Sequence, residues 1–327
     1  MNPKLVLWLL TAILLALFHR AETQQPVKIP RIGYLVSGSR SSSQYQVDGF
    51  RQGLRDHGYI EDKNIVVDYR YGEGREDLLS DFAGDLIHLK VDIIVTSSTV
   101  AAIAAKKLTA TIPIVLAGTG DPVATRLVAN LARPGGNVTG LSGVSPELST
   151  KQLDLIREIV PKVSRVGVLY DPRNPVNVAA WKEIEVTATA FRIELIRLEI
   201  RDRDDYESAF TTAARKRADA LPVRREPINQ TYRTRIVSLA ERSKLPAIYP
   251  LSQYVEAGGL MSYGIDAADL YRRAAAYVDK ILKGAKPGEL PVEQPTKFEF
   301  IINLKTARQI GLSIPPNVLA RADRVIK

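Results

Sequence analysis

The chain has 327 residues, 45% hydrophobic and 25% charged, enough for two domains or one large one with sizeable apolar cores. Its formal charge of +9 is spread along the sequence and includes no basic stripe interleaved with aromatics, so no nucleic-acid module is expected. Cysteine is absent, which excludes disulfides, thiolate chemistry, cysteine-bound metal and a lipoprotein anchor.

At the N-terminus, Lys4 precedes an apolar run from Leu5 to Phe18, followed by His19, Arg20 and a polar stretch. A positive head and so short an apolar run read as a secretory signal, too short for a comfortable membrane span of about 20 residues. Residues 1–27 are therefore expected to be signal peptide and leader. No clear A-x-A cleavage site follows, which leaves a retained anchor as the alternative.

Beyond the leader, strand and helix alternate. Strand "RIGYLVSG" (31–38), helix 42–58, strand "NIVVDYRYG" (64–72), helix 75–90, strand "VDIIVTSS" (91–98), helix 99–109 and strand "IPIVLAG" (112–118) follow in order. Single helices between strands mean β-α-β units and a parallel sheet covered on both faces. "LARPGGNVTGLSG" (131–143) breaks the rhythm with one proline and four glycines. The pattern then restarts with helix 147–161, strand 165–172, helix 176–191, strand 193–200 and helix 206–217. Strand cores at 218–223 and 245–250 flank a helix over 229–243. "GLMSYG" (259–264) reads as another strand, 267–284 as a helix, and "FEFIINL" (298–304) as a last strand before a short helix. Two similar halves around a glycine-rich break predict two α/β lobes with a cleft between them.

A catalyst is hard to assemble. His57 and His88 lie on charged helical stretches and read as surface residues, and no H-E-x-x-H, Walker A or G-x-S-x-G pattern occurs. Gly118-Thr119-Gly120 lacks the third glycine of a dinucleotide fingerprint and comes late in its lobe. No cofactor and no metal are expected.

Polar residues do gather where the strands end, and in open parallel sheets ligands bind beyond those ends. In the first half these are Ser37, Ser39, Thr96, Ser97, Ser98, Thr99, Thr119 and Asp121. The Thr-Ser-Ser-Thr run enters a helix, so it suits either capping or a carboxylate bound at the free helix-start N–H groups. Asp121-Pro122 suits a plain helix start or an ammonium site. In the second half Tyr170, Asp171, Asn174, Tyr249 and Tyr263 follow strands, where tyrosines offer either flat ligand walls or ordinary packing.

Laid in order, "RIGYL", "GFRQGLRDHGY", "IPIVLAGTGDPV", "LVANLARPGGNVTGLS", "LPAIYPLSQYVEAGGLMSYG", the long block from Ala274 to Pro316 and "VLARAD" resemble the bacterial ABC-transporter substrate-binding proteins that include tryptophan- and tyrosine-type binders. The resemblance implies a type I periplasmic-binding fold: α/β, with two Rossmann-like lobes holding parallel sheets, joined by a three-crossover hinge. The N-terminal lobe would hold 28–142 plus 265–291, and the C-terminal lobe 143–264 plus 292–327. It also implies a small amino-acid-like or carboxylate solute, an ABC permease and ATPase as partners, a periplasmic or extracytoplasmic location, a monomer and no enzymatic activity. Asn137 and Thr139 are placed near the hinge, where Gly135 and Gly136 also suit a plain crossover turn. The chain departs from the family pattern at Pro222-Val223-Arg224-Arg225-Glu226, where two arginines end a strand. They either face the cleft and select an anion or are solvated charge. A ligand-sensing regulatory module on the same fold, or a nucleotide-sugar-type enzyme, are the alternative functions.

Overall fold

The structure is a computed structural model that describes residues 28–143 and 147–327. The leader therefore lies outside the described residues.

The first lobe is built from β1 (Arg31–Val36), α1 (Gln44–Asp56), β2 (Val66–Tyr71), α2 (Leu78–His88), β3 (Ile93–Thr96), α3 (Thr99–Leu108), β4 (Ile114–Thr119) and β5 (Val138–Ser142). Its sheet runs β2-β1-β3-β4-β5, and every pairing is parallel. The central strands are continuous apolar runs because helices bury them on both faces.

The second lobe contains α4 (Glu147–Ile159), β6 (Arg165–Tyr170), α5 (Pro175–Ala190), β7 (Glu194–Glu199), α6 (Asp205–Arg215), β8 (Leu221–Pro222), α7 (Pro227–Thr231), α8 (Arg233–Arg242), β9 (Ala247–Tyr249), α9 (Ser252–Glu256) and β10 (Met261–Ile265). The chain then returns to the first lobe as α10 (Ala267–Leu282) and a 3-10 turn (Pro287–Glu289). It comes back a last time as β11 (Phe298–Asn303), α11 (Leu304–Gln309), α12 (Pro316–Leu319) and β12 (Arg324–Ile326). The second sheet runs β12-β11-β10-β9-β8, and the β6-β7 pair joins it through bridges from Val166 to Ala220 and from Leu169 to Val223. The chain thus passes between the sheets three times.

Four details differ from the sequence reading. The glycine-rich 131–143 segment holds strand β5, whose residues are all buried. Gly140 there has φ +125°, and a Cβ on it would stand 2.3 Å from the Leu116 carbonyl oxygen, so that glycine belongs to the strand. The second sheet is not wholly parallel, since β10 and β11 run antiparallel. The helix expected over 229–243 is two helices, divided at Tyr232. The short α9 and β12 have no counterpart in the sequence reading.

The last connection is pinned before it enters β11. Val292 N–H donates to the Leu131 carbonyl (2.7 Å), Ser142 N–H to the Glu293 carbonyl (2.9 Å), and Glu293 N–H to the Gly140 carbonyl (3.0 Å). The Glu293 carboxylate is held by Arg273 and by the Tyr277 hydroxyl, both on α10.

Helix α10 is capped by Asp266, whose carboxylate accepts the Asp269 N–H at 3.1 Å, and it lies closely against α1. The approach depends on Gly53. A Cβ there would meet the Arg272 carbonyl oxygen at 2.1 Å and the Ala275 Cβ at 2.8 Å. Alanine is favoured over glycine inside a helix by about 0.5–1 kcal/mol. Overpacking costs roughly 1–3 kcal/mol, and a rigid backbone contact sits at the upper end. Sterics win. Gly53→Ala is expected to lower the melting temperature by about 3 °C or more in a circular-dichroism melt. An unchanged or higher value would show that the helices part freely.

Candidate functional site

A cavity of about 110 Å³ lies between the carboxyl-end loops of the two sheets. The first-lobe wall comes from the tips of β1, β3 and β4 and from α1. Ser37 N–H donates to Ser97 Oγ (3.2 Å), and the Ser37 and Ser98 hydroxyls bond to each other. Ser98 also caps α3 by accepting the Ala101 N–H (3.2 Å), while Thr99 Oγ1 accepts the Gly120 N–H (2.7 Å). These four residues line the cavity, yet their hydroxyls chiefly tie three strand tips into one platform.

The second-lobe wall is charged. Arg224 Nη1 donates to Ser149 Oγ (2.8 Å), and Asn174 Nδ2 donates to the carboxylate of buried Glu226 (2.5 Å). Arg225 reaches across the cleft: Nη1 donates to the Gly118 carbonyl (2.9 Å) and Nη2 to the Tyr271 hydroxyl (3.1 Å). Gly118 and Gly143 make room for it. A Cβ on either would stand 3.2 Å and 2.2 Å, respectively, from its guanidinium. Neither arginine forms an ion pair with another described residue.

A family model described as ABC transporter substrate binding protein matches residues 32–326. The chain belongs to that family. It is 29% identical over 265 residues to the tyrosine-binding protein of Clostridioides difficile (strain R20291), covering 81% of this chain and 76% of that one. A Streptococcus pneumonia ABC domain solved in complex with L-Trp is 29% identical, with a TM-score of 0.84 over 91% of this chain and 99% of that one. The ligand-free, open structure of a Clostridium difficile substrate binding protein with adhesive properties is 25% identical, with a TM-score of 0.66 over 91% and 99%. The substrate-binding protein described here therefore has the two-lobed type I periplasmic-binding fold. As a member of this family it is extracytoplasmic, takes a small molecule and serves an ABC transporter. No helix among the described residues is long and apolar enough to cross a membrane.

The remaining residues singled out in the sequence lie elsewhere in the binding protein. Ser39 bonds within its own loop to Ser42 (2.9 Å). Thr96 is wholly buried in β3, off the cavity. Thr119 donates to the Gly120 carbonyl (3.3 Å) beside the wall, and Asp121 caps a turn by accepting the Val123 and Ala124 N–H groups (2.8 and 3.0 Å). Asn137 donates to the Thr109 and Ile112 carbonyls, and Thr139 to the Leu290 carbonyl (2.7 Å), so both hold backbone away from the cavity. Tyr170 packs against Trp181, with ring centroids 5.1 Å apart, and Asp171 pairs with Arg173 (2.7 Å). Tyr249 stacks on Tyr254 (4.9 Å) and Tyr263 on Phe298 (6.2 Å). For these tyrosines, packing at a strand end describes the position. Asn174 and Arg224 are on the wall.

Other wall residues had no distinguishing signal in the sequence: Ser43, Tyr45 and Gln46 on the first lobe, and Asn177, Glu226 and Gln230 on the second. Burial lowers the Arg224 guanidinium below its ordinary value, against the pull of Glu226 and Glu183. Burial also pushes the Glu226 carboxyl up to about 7, although Asn174, Asn177 and Arg224 favour its charged form. The wall thus sets two guanidiniums beside one buried carboxylate.

Proposed function

We propose that the protein captures a small amino-acid-like or carboxylate solute between its lobes and delivers it to an ABC permease and its ATPase. The observation that carries this reading is the pair Arg224 and Arg225, two guanidiniums on one cavity wall without an ion-pair partner among the described residues. Two half-buried positive charges side by side favour an anion between them, and a planar fork suits a carboxylate. The relatives support it: one is named for binding tyrosine, and another holds L-Trp.

In this reading the moving bodies are 28–142 plus 265–291 and 143–264 plus 292–327, except that Val292 and Glu293, hydrogen-bonded to Leu131, Gly140 and Ser142, move with the first. Solute contacts on both stabilise the closed form, which the transporter distinguishes from the empty one. Ser37, Ser97, Ser98, Thr99, Asn174 and Arg224 are the sequence-derived residues that bound the solute. Export by the N-terminal signal, a monomeric state, no nucleic-acid partner and no catalysis complete the proposal.

A thermal-shift screen of amino acids, aromatic acids, dicarboxylates and sugars tests it. A solute at one hundred times its Kd stabilises by about 2.7 kcal/mol, which raises the melting temperature by roughly 5 °C. A carboxylate-bearing compound is expected to give that rise. A rise with a sugar and none with any acid would remove the reading.

A further inference from the structure

Arg224 and Arg225 account for one end of a solute; the rest of the wall has a separate chemistry. Ser43 Oγ, Gln46 Oε1 and both amide atoms of Gln230 are buried on the cavity wall without a hydrogen-bond partner among the described residues. Their side chains belong to residues only 0%, 7% and 6% exposed. Buried polar groups are ordinarily paired, so four unpaired atoms around one cavity mark a place where something else supplies the partners.

Ser43 strengthens the point. It occupies the N-cap of α1, where a serine hydroxyl normally accepts an N–H of the first turn. Here it makes no such bond. Gln46 uses Nε2 to donate to the Tyr45 hydroxyl (3.2 Å), which leaves its carbonyl oxygen as an acceptor. Gln230 presents an acceptor and a donor together. Ser43 and Gln46 belong to the first lobe and Gln230 to α7 of the second, so the set assembles only when the lobes meet.

The two amide oxygens accept only, so an N–H or O–H must reach them, from the solute directly or through a water it holds. An ionised carboxylate has no hydrogen to offer, so the group that binds the arginines cannot also fill these positions. None of the three side chains is charged, which suits a neutral donor over an ammonium, since a desolvated charge needs a countercharge.

We propose that Gln46 and Gln230, with Ser43, form a clamp across the cleft for a neutral X–H group of the solute: a hydroxyl, an amide or a ring N–H. This rests on the carboxylate reading above and adds a second handle to it. The solute is bifunctional, and the glutamines set its specificity.

The test uses probe pairs alike in size that differ in that group, L-tyrosine against L-phenylalanine and L-glutamine against L-methionine. They are titrated calorimetrically into the full chain and into Gln46→Met and Gln230→Met. A site that hydrogen-bonds a polar group rejects an analogue lacking it by orders of magnitude, so the wild type should prefer the donor-bearing member of a pair by about 100-fold or more. Each substitution should cut that preference to about tenfold or less by weakening the donor-bearing member. Equal binding within both pairs, or a preference that survives both substitutions, would overturn the clamp.

A second measurement needs no solute. Replacing an unpartnered buried amide with a side chain of like shape leaves the melting temperature of the empty protein unchanged or raised. A fall of more than about 5 °C for Gln230→Met would assign that amide to the fold and overturn the proposal, and this result decides if no probe binds. Tyramine keeps the hydroxyl and lacks the carboxylate. Its binding as tightly as tyrosine would sink the carboxylate reading and leave the clamp standing.

Discussion

Arg225→Met is expected to weaken solute binding by about 100-fold or more in calorimetric titration, while the lobes stay folded. Losing one partner of a buried, hydrogen-bonded charge pair costs about 2–5 kcal/mol, which spans roughly 30-fold to several thousandfold. Arg225 has a second contribution. Its bonds to the Gly118 carbonyl and the Tyr271 hydroxyl join the lobes even without a solute, so the variant should also favour the open form. Small-angle scattering of the empty protein reads this directly as a larger radius of gyration. Arg225→Lys should fall between, since an ammonium keeps the charge but cannot reproduce a planar fork with two separate acceptors. Wild-type affinity in the methionine variant would show that the guanidinium does not bind the solute.

Glu226→Gln is expected to stabilise the empty protein at pH 8 and to change little at pH 4. Burial holds the folded-state value at about 7, above the ordinary value of 4.5. Below 4.5 the carboxyl is protonated in both states and contributes no difference. As pH rises from 4.5 to 7 the unfolded chain gives up its proton first, so stability is lost across that window and levels off above it. A separation of that size corresponds to about 3 kcal/mol at most, or a rise of several degrees in melting temperature for the glutamine variant at pH 8. The groups around it are Arg224, Asp171, Asn174 and Asn177. A glutamine keeps an oxygen to accept from Asn174, so the hydrogen bond survives while the ionisation is removed. Parallel pH–stability curves for the two proteins would show that Glu226 does not titrate in this range.

The alternation of strand and helix was legible because a buried parallel strand writes itself as an uninterrupted apolar run, as "IPIVL" does in β4. β5 was not, because "VTGLS" is short and carries the glycine its close neighbour requires. β10–β11 pairing direction has no local signature at all, since it follows from where the chain returns. At the site, the strand tips pointed to the right region but not to the right atoms. Hydroxyls at 97–99 are largely consumed in holding the tips together. The unpaired wall atoms come from Ser43 at a helix start and from Gln46 and Gln230 on helices, and a glutamine facing a cleft has the same periodicity as one facing water. Arg224 and Arg225 stood out only because the resemblance made them a departure.

Because Val292 and Glu293 are stitched to the edge of the first sheet, and the Glu293 side chain is bolted to α10, the third connector does not bend along its first half. Its pivot falls in 294–297, the four residues between that seam and β11, with Pro295 among them stiffening the joint. If the lobes open as proposed, the second would swing from an axle fixed close to its own sheet, so that a few degrees of backbone rotation there would open a wide gape at the arginines.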